Sequence, residues 1–202
     1  MQYGIKGKAN MKTCYNKDAM NKKKSVVVVY TGDGKGKTSA AIGMVARALG
    51  AGQRVVFIQF IKNWEVSEHK FFDKYLANES KFTFYKGGKG FYHAGNQSAK
   101  GVSDDEHIAS AQATLEFAHQ ATTSGDFDLV VCDEINNAVH DGLVSAEALK
   151  TLICKRAEQT SICLTGRNFP SELEEYVDII TNMTKIKHHY DDGYLAQEGI
   201  DY

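Results

Sequence analysis

A glycine-rich segment near the start of the chain constrains the fold more than any other feature. Residues 31–38 read TGDGKGKT, follow an aliphatic run at residues 26–29 and precede an alanine-rich stretch at residues 39–49. Only glycines let a loop curl tightly enough for several backbone N–H groups to converge on one phosphate. A helix N-terminus, the Lys37 ammonium and the Thr38 hydroxyl complete such a site. The segment therefore predicts a strand, a phosphate-binding loop and a helix.

The candidate nucleotide-binding residues belong to this segment and to the first residue after it. They are Gly32, Asp33, Gly34, Lys35, Gly36, Lys37, Thr38 and Ser39. The loop departs from the G-x-x-x-x-G-K-[ST] pattern at its first position, where Thr31 stands and the glycine comes one residue late. This departure indicates a loop adapted to an unusual nucleotide pose. A turn that is merely rich in glycine is the alternative interpretation.

An acidic pair follows a second apolar run. Residues 126–134 read DFDLVVCDE, so Asp133 and Glu134 come directly after a strand expected at residues 128–132. Carboxylates at the carboxyl end of a parallel strand, beside a phosphate loop, hold Mg²⁺ directly or through water. The candidate magnesium ligands are therefore Thr38, Asp133 and Glu134. Taken alone, the acidic pair is equally typical of a surface turn, but beside the loop it predicts a nucleoside triphosphate site.

Predicted strands and helices alternate along the rest of the chain. Further strands are expected at residues 54–61, 82–85, 161–164, 178–181 and 184–188. Helices are expected at residues 68–77, 104–122 (with Ser103 as the N-cap), 146–156 and 172–176. Such alternation gives right-handed crossovers and a mostly parallel sheet with helices on both faces. We expect an α/β fold of the P-loop NTPase-like (RecA-like) class, with one domain at residues 25–202.

Composition restricts the class of protein. A hydrophobic content of 43%, a charged content of 24% and a single proline are typical of globular proteins. The chain has no apolar run long enough to span a bilayer and no apolar signal-peptide core, so we expect a cytoplasmic protein with no membrane partner. The four cysteines lack metal-ligand spacing.

Residues 1–24 form a lysine-rich N-terminal arm that we predict to be flexible. This arm carries a net charge of about +6, whereas the remainder of the chain carries about −7. One interpretation is a solvated tail, and the other is an arm that closes over an anionic ligand. The acidic body argues against a nucleic-acid partner.

Several segments resemble the corrinoid (cob(I)alamin) adenosyltransferases of the ATP:corrinoid P-loop type. They are TGDGKGKTSAAIGMVARALG at residues 31–50, QFIK at 59–62, the Gly90-Phe91 pair, VVCDEIN at 130–136, LTGR at 164–167 and KHHYDDGYLAQEGIDY at 187–202. The phosphate loop with its initial threonine and the ending AQxGIDY are the most specific parts. The resemblance runs from about residue 26 to residue 202 and does not cover residues 1–24.

The resemblance implies an alkyl-group transferase with ATP and a reduced corrinoid as substrates. In this family, Co(I) of cob(I)alamin or a precursor attacks the ribose 5′ carbon of ATP, and triphosphate leaves intact. Lys37, Thr38 and Mg²⁺ would stabilise charge on the departing triphosphate. Phe91 would be a third catalytic residue, keeping the lower corrinoid face dry, and where this chain has His93 the family pattern has tryptophan. A flavoprotein electron donor is also implied, and a homodimer is an open hypothesis.

Two rival functions remain open from the residues alone. A P-loop kinase or ATPase acting on another substrate would release ADP or inorganic phosphate. A non-catalytic, nucleotide-dependent corrinoid-binding protein would bind ATP without forming an adenosylcorrinoid. Gly166 and Arg167 follow a predicted strand and are further ligand candidates, because ligands bind at the carboxyl edge of such sheets.

Overall fold

The computed structural model describes residues 25–62, 65–90, 92 and 101–202. The strands in this part of the chain are Val27–Thr31 (β1), Val55–Gln59 (β2), Phe82–Lys86 (β3), Leu129–Asp133 (β4), Ser161–Thr165 (β5) and Ile179–Asn182 (β6). They form one sheet in the order β3-β2-β4-β5-β1-β6, and every neighbouring pair is parallel. The expected α/β fold is confirmed.

Helices connect most of these strands. The α-helices are Lys37–Gly50 (α1), Ser67–Phe71 (α2), Asp104–Thr123 (α3), Ile135–His140 (α4) and Ala146–Cys154 (α5). A π-helical turn at Phe72–Leu76 continues α2, and 3₁₀ turns lie at Ser171–Tyr176 and His189–Asp192. The predicted cap of α3 is confirmed, because the Ser103 hydroxyl accepts from the Glu106 backbone N–H in a capping box. None of the described helices is long and apolar enough to cross a membrane.

The sheet is covered by helices on both faces. Phe57 of β2 faces a cluster formed with α1 and the π-helical turn, where it packs against Ala41, Val45 and Phe72. Ile58, the next residue, faces the opposite cluster, to which α3, α4 and α5 contribute. Successive side chains of a strand point to opposite faces, so the central strands have to be apolar throughout. This explains why they appear in the sequence as unbroken aliphatic runs.

The strand predicted at residues 184–188 is wrong. The chain leaves the sheet after Asn182, and these residues are irregular, with Ile186 96% exposed. Met183, which directly follows β6, forms hydrogen bonds with the glycine-rich segment instead. Its N–H donates to the Thr31 carbonyl at 2.8 Å, and its carbonyl accepts from the Gly34 N–H at 2.6 Å. The polypeptide after β6 therefore packs against the segment between β1 and α1 rather than adding another strand.

Candidate nucleotide and metal site

The glycine-rich loop between β1 and α1 has a shape that requires its glycines. Gly32 and Gly36 have φ angles of +98° and +103°, which L side chains rarely adopt. A Cβ atom on Gly34 would lie 2.7 Å from the Met183 carbonyl oxygen. Two glycines are thus required by backbone conformation and a third by close packing. The loop leads directly into the N-terminus of α1, where backbone N–H groups and the helix dipole favour an anion.

Lys37, the first residue of α1, is bound inside the curl of this loop. Its Nζ donates to the carbonyl oxygens of Gly32 at 2.7 Å and Gly34 at 2.6 Å. Burial lowers the pKa of Lys37, and the nearby Glu134 carboxylate acts in the opposite direction. The ammonium thus has two neutral acceptors, and phosphate oxygens would be stronger, charged ones. The arrangement suits a lysine that changes partners when a polyphosphate binds.

Asp133, the last residue of β4, is held in one orientation by several donors. Its Oδ1 accepts from the Thr38 hydroxyl at 2.9 Å and from the Thr165 hydroxyl at 2.7 Å. Its Oδ2 accepts from Gln59 Nε2 at 3.1 Å and lies 3.7 Å from Lys62 Nζ. The residue is fully buried. These contacts fix the Asp133 carboxylate where it orients the Thr38 hydroxyl.

A buried polar chain extends from Asp133 to His69. Gln59 Oε1 lies 2.5 Å from His69 Nε2, and both residues are buried. A carboxylate only accepts, so the Gln59 amide nitrogen faces Asp133 and its oxygen faces His69, whose Nε2 must then be the donor. Burial lowers the pKa of His69, which favours this neutral ring. Sequence reasoning missed both residues, although a glutamine ending an apolar strand was a usable signal.

Glu134 has a left-handed backbone conformation, and its side chain lies where burial disfavours a negative charge. Its φ is +64°, and its N–H donates to the Thr165 hydroxyl at 2.9 Å. Burial raises the pKa of Glu134 to about 7, and Asp133 adds to the effect, while Lys62 and Lys37 oppose it. The side chain lines the pocket beside the loop. A carboxylate in these surroundings would be stabilised by a bound cation.

The pocket itself has a volume of about 480 Å³ and lies over the N-terminus of α1. Residues 35–39, Lys62 and Glu134 contribute its charged side, and α2 and residues 199–202 close it. Lys62 also pairs with Glu68 of α2 at 3.1 Å. The pocket thus offers lysines and helix N–H groups at one end, an arrangement that favours an anion.

The structure brings together the central members of the predicted site and separates others. Lys37, Thr38, Ser39 and Glu134 line one pocket, and Asp133 binds Thr38 from behind. Asp33 faces elsewhere, and its Oδ1 lies 3.9 Å from Arg167 Nε. Lys35 lines the pocket as well, but there it pairs with Asp201. The candidates Phe91 and His93 lie outside the described residues.

A parallel sheet with a glycine loop between β1 and α1 and an acidic pair at the end of β4 is the arrangement typical of P-loop nucleotide-binding proteins. The family described as ATP:corrinoid adenosyltransferase BtuR/CobO/CobP has a sequence model that matches residues 23–202. The chain therefore belongs to the ATP:corrinoid adenosyltransferase family.

Relatives named as corrinoid adenosyltransferases support this assignment. A corrinoid adenosyltransferase of Pseudomonas aeruginosa is 33% identical over 182 residues, covering 89% of this chain and 84% of the relative. The corrinoid adenosyltransferase CobA of Salmonella typhimurium is 32% identical over 182 residues, covering 89% and 86%. A corrinoid adenosyltransferase of Escherichia coli K12 is 28% identical over 203 residues, covering 100% and 95%. The similarity thus extends over nearly the whole length of each chain.

Proposed function

We propose that this chain transfers the 5′-deoxyadenosyl group of ATP to the cobalt of a reduced corrinoid and releases triphosphate. The observation that carries the proposal is the pocket in which Lys37, Thr38 and Glu134 converge at a helix N-terminus, in a chain that belongs to the adenosyltransferase family. A kinase or ATPase is the rival that shares this pocket. Family membership does not favour it.

The chain's own groups act on the triphosphate end of ATP. The Lys37 ammonium and the N–H groups at the start of α1 would bind the phosphate oxygens and stabilise the charge that develops as triphosphate departs. The nucleophile is the reduced cobalt rather than water, so the reaction needs no general base to activate it. The remaining contribution of the protein is to align the ribose carbon with the metal.

We also propose a magnesium ion as a cofactor. The Thr38 hydroxyl and the Glu134 carboxylate would hold it, and Asp133, which accepts from the Thr38 hydroxyl at 2.9 Å, would hold it directly or through water. Oxygen donors of this kind are those Mg²⁺ prefers, and the destabilised charge of Glu134 fits a cation site. When bound, the ion would supply positive charge to the leaving triphosphate.

Other expectations from the sequence stay predictions. They include the role of Phe91 against the lower corrinoid face, the flavoprotein electron donor, the homodimer and the cytoplasmic location. The same holds for the division of the chain at residue 24 and for the roles of its lysine-rich arm.

The test of the proposed function is the identity of the phosphate product. The chain is incubated with MgATP and chemically reduced cob(I)alamin, and adenosylcobalamin is followed by its absorption spectrum. We expect triphosphate in a one-to-one ratio with adenosylcobalamin, and release of ADP or inorganic phosphate in that ratio would refute the proposal.

Lys37→Ala provides the matching variant. It should abolish turnover without lowering the melting temperature, because it removes the cation inside the phosphate loop. Lys81→Ala is the control, since Lys81 is an exposed lysine bound to the Gly52 carbonyl on another part of the surface. Near-normal activity of Lys37→Ala would contradict the role given to Lys37.

A further inference from the structure

The last residues of the chain cross the pocket next to the phosphate loop. We name residues 189–202 the C-terminal strap. Gly199, Ile200, Asp201 and Tyr202 line the same pocket as residues 35–39 of the loop and the start of α1. The Ser67 hydroxyl donates to the Tyr202 carbonyl oxygen at 2.7 Å, which fastens the end of the strap to α2. The strap therefore forms one wall of the pocket.

Asp201 is the point at which the strap is attached to the loop. Its side chain is only 4% exposed and accepts a hydrogen bond from Lys35 Nζ in an ion pair. Its second oxygen accepts from the Gln197 backbone N–H at 2.8 Å and lies 3.2 Å from His189 Nε2. The Lys35 contact and then the Gln197 N–H hold the pKa of Asp201 low, at about 2. The carboxylate is therefore charged at neutral pH and bound on several sides.

The two lysines of the loop are thus used differently. Lys37 Nζ lies inside the loop, where it donates to the carbonyl oxygens of Gly32 and Gly34. Lys35 Nζ instead pairs with Asp201 of the strap. The charge of Lys35 is already neutralised by a shielded carboxylate, so Lys35 would attract a phosphate only weakly. The charge of Lys37 faces neutral carbonyl oxygens, so Lys37 would attract a phosphate strongly.

We propose that Asp201 is a positioning residue for nucleotide binding: by pairing with Lys35 it fixes the loop and the strap in the arrangement that receives the triphosphate, and it leaves phosphate binding to Lys37. The inference rests on the proposed use of this loop for ATP. Lys35 then acts as an anchor for the strap rather than as a phosphate ligand.

A double-mutant cycle on the full chain tests this proposal. The variants are Lys35→Ala, Asp201→Asn and the two combined, with MgATP affinity measured by calorimetry in the absence of corrinoid and KM and kcat measured with cob(I)alamin. Each single variant should weaken ATP binding at least about tenfold, the lower end of the range expected for losing a charged hydrogen bond. The combined variant should be no weaker than either single one, because both remove the same contact. KM for ATP should rise in parallel while kcat stays within about twofold.

Glu198→Gln is the matched control. Glu198 lies on the same strap and pairs with Lys70 at 2.6 Å, but both side chains are more than half exposed. An exposed pair of this kind contributes little, so this variant should bind ATP like the original chain. A loss of affinity equal to that of Asp201→Asn would overturn the specific role of Asp201.

The opposite assignment of Lys35 predicts different results. If Lys35 bound phosphate directly, Lys35→Ala would weaken ATP binding much more than Asp201→Asn. If Asp201 merely occupied a phosphate-binding lysine, Asp201→Asn would tighten ATP binding. Either result overturns the proposal, as would unchanged ATP affinity in both single variants.

The calorimetric measurement separates this inference from the proposed function. A chain that shows the expected cycle for ATP but forms no adenosylcobalamin would refute the function and leave the role of Asp201 standing. If the chain forms adenosylcobalamin but the losses of ATP affinity in the two single variants add up in the combined variant, the role of Asp201 would be refuted and the proposed function would stand.

Discussion

Replacing Glu134 by glutamine tests two effects of its negative charge separately: the effect on the stability of the fold and the effect on activity. Burial raises the pKa of this carboxyl from 4.5 to about 7. Each pKa unit corresponds to about 1.4 kcal/mol, so the ionised side chain destabilises the folded state by up to about 3 kcal/mol. Glutamine resembles the protonated form and does not ionise. We expect Glu134→Gln to be the more stable chain at alkaline pH and an inactive enzyme.

The sign of the pH dependence follows from the direction of this shift. Below pH 4.5 the carboxyl is protonated in both the folded and the unfolded chain, and the penalty is absent. Between pH 4.5 and about 7 the carboxyl is ionised in the unfolded chain but still protonated in the folded chain, so the penalty grows over this range. Above about pH 7 both states are ionised and the penalty levels off. The stability advantage of the variant should therefore grow from less than about 1 kcal/mol at pH 5 to about 3 kcal/mol at pH 8.

Urea unfolding at pH 5 and pH 8, without nucleotide or magnesium, measures this difference. Glu158→Gln is the control, because Glu158 is exposed and does not line the pocket. The reasoning is refuted if Glu134→Gln is less stable than the original chain at pH 8, or if the difference is the same at both pH values.

Two further predictions concern residues around the site. Gln59→Leu should lower the free energy of unfolding by about 1–3 kcal/mol in urea titrations, because His69 loses its acceptor and Asp133 a donor; unchanged stability would show that the buried chain contributes nothing. Phe91→Ala should slow adenosylation that starts from Co(II) more than adenosylation from chemically prepared Co(I), as compared in parallel assays. Equal losses would contradict a role for Phe91 at the lower corrinoid face.

Much of the fold could be predicted because its central strands are buried on both faces. The runs around Val29, Phe57 and Val131 had to be apolar, and each one marked a strand. The strand predicted at residues 184–188 failed because an extended-looking pattern needs a neighbouring strand, and the chain there turns onto the phosphate loop instead. α4 was also missed, since its six residues are too few to show helical periodicity.

The candidate site divides in the same way. The phosphate loop and the acidic pair are local patterns, so Lys37 and Glu134 could be found by spacing alone. The contacts between Gln59 and Asp133, and between Lys35 and Asp201, join residues 74 and 166 positions apart. They depend on the order of the strands and on the path of the chain after β6, which no local pattern encodes.

The strand order also has a consequence for the synthesis of the protein. Among the described strands, β1 leaves the ribosome first, yet its neighbours in the sheet are β5 and β6, the last of them to be made. The phosphate loop that follows β1 also cannot form its backbone hydrogen bonds with Met183 until that residue has been synthesised. Nascent or prematurely terminated chains should therefore lack nucleotide affinity, because contacts between distant parts of the sequence form late. Retention on immobilised ATP would accordingly select full-length molecules from a mixture of translation products.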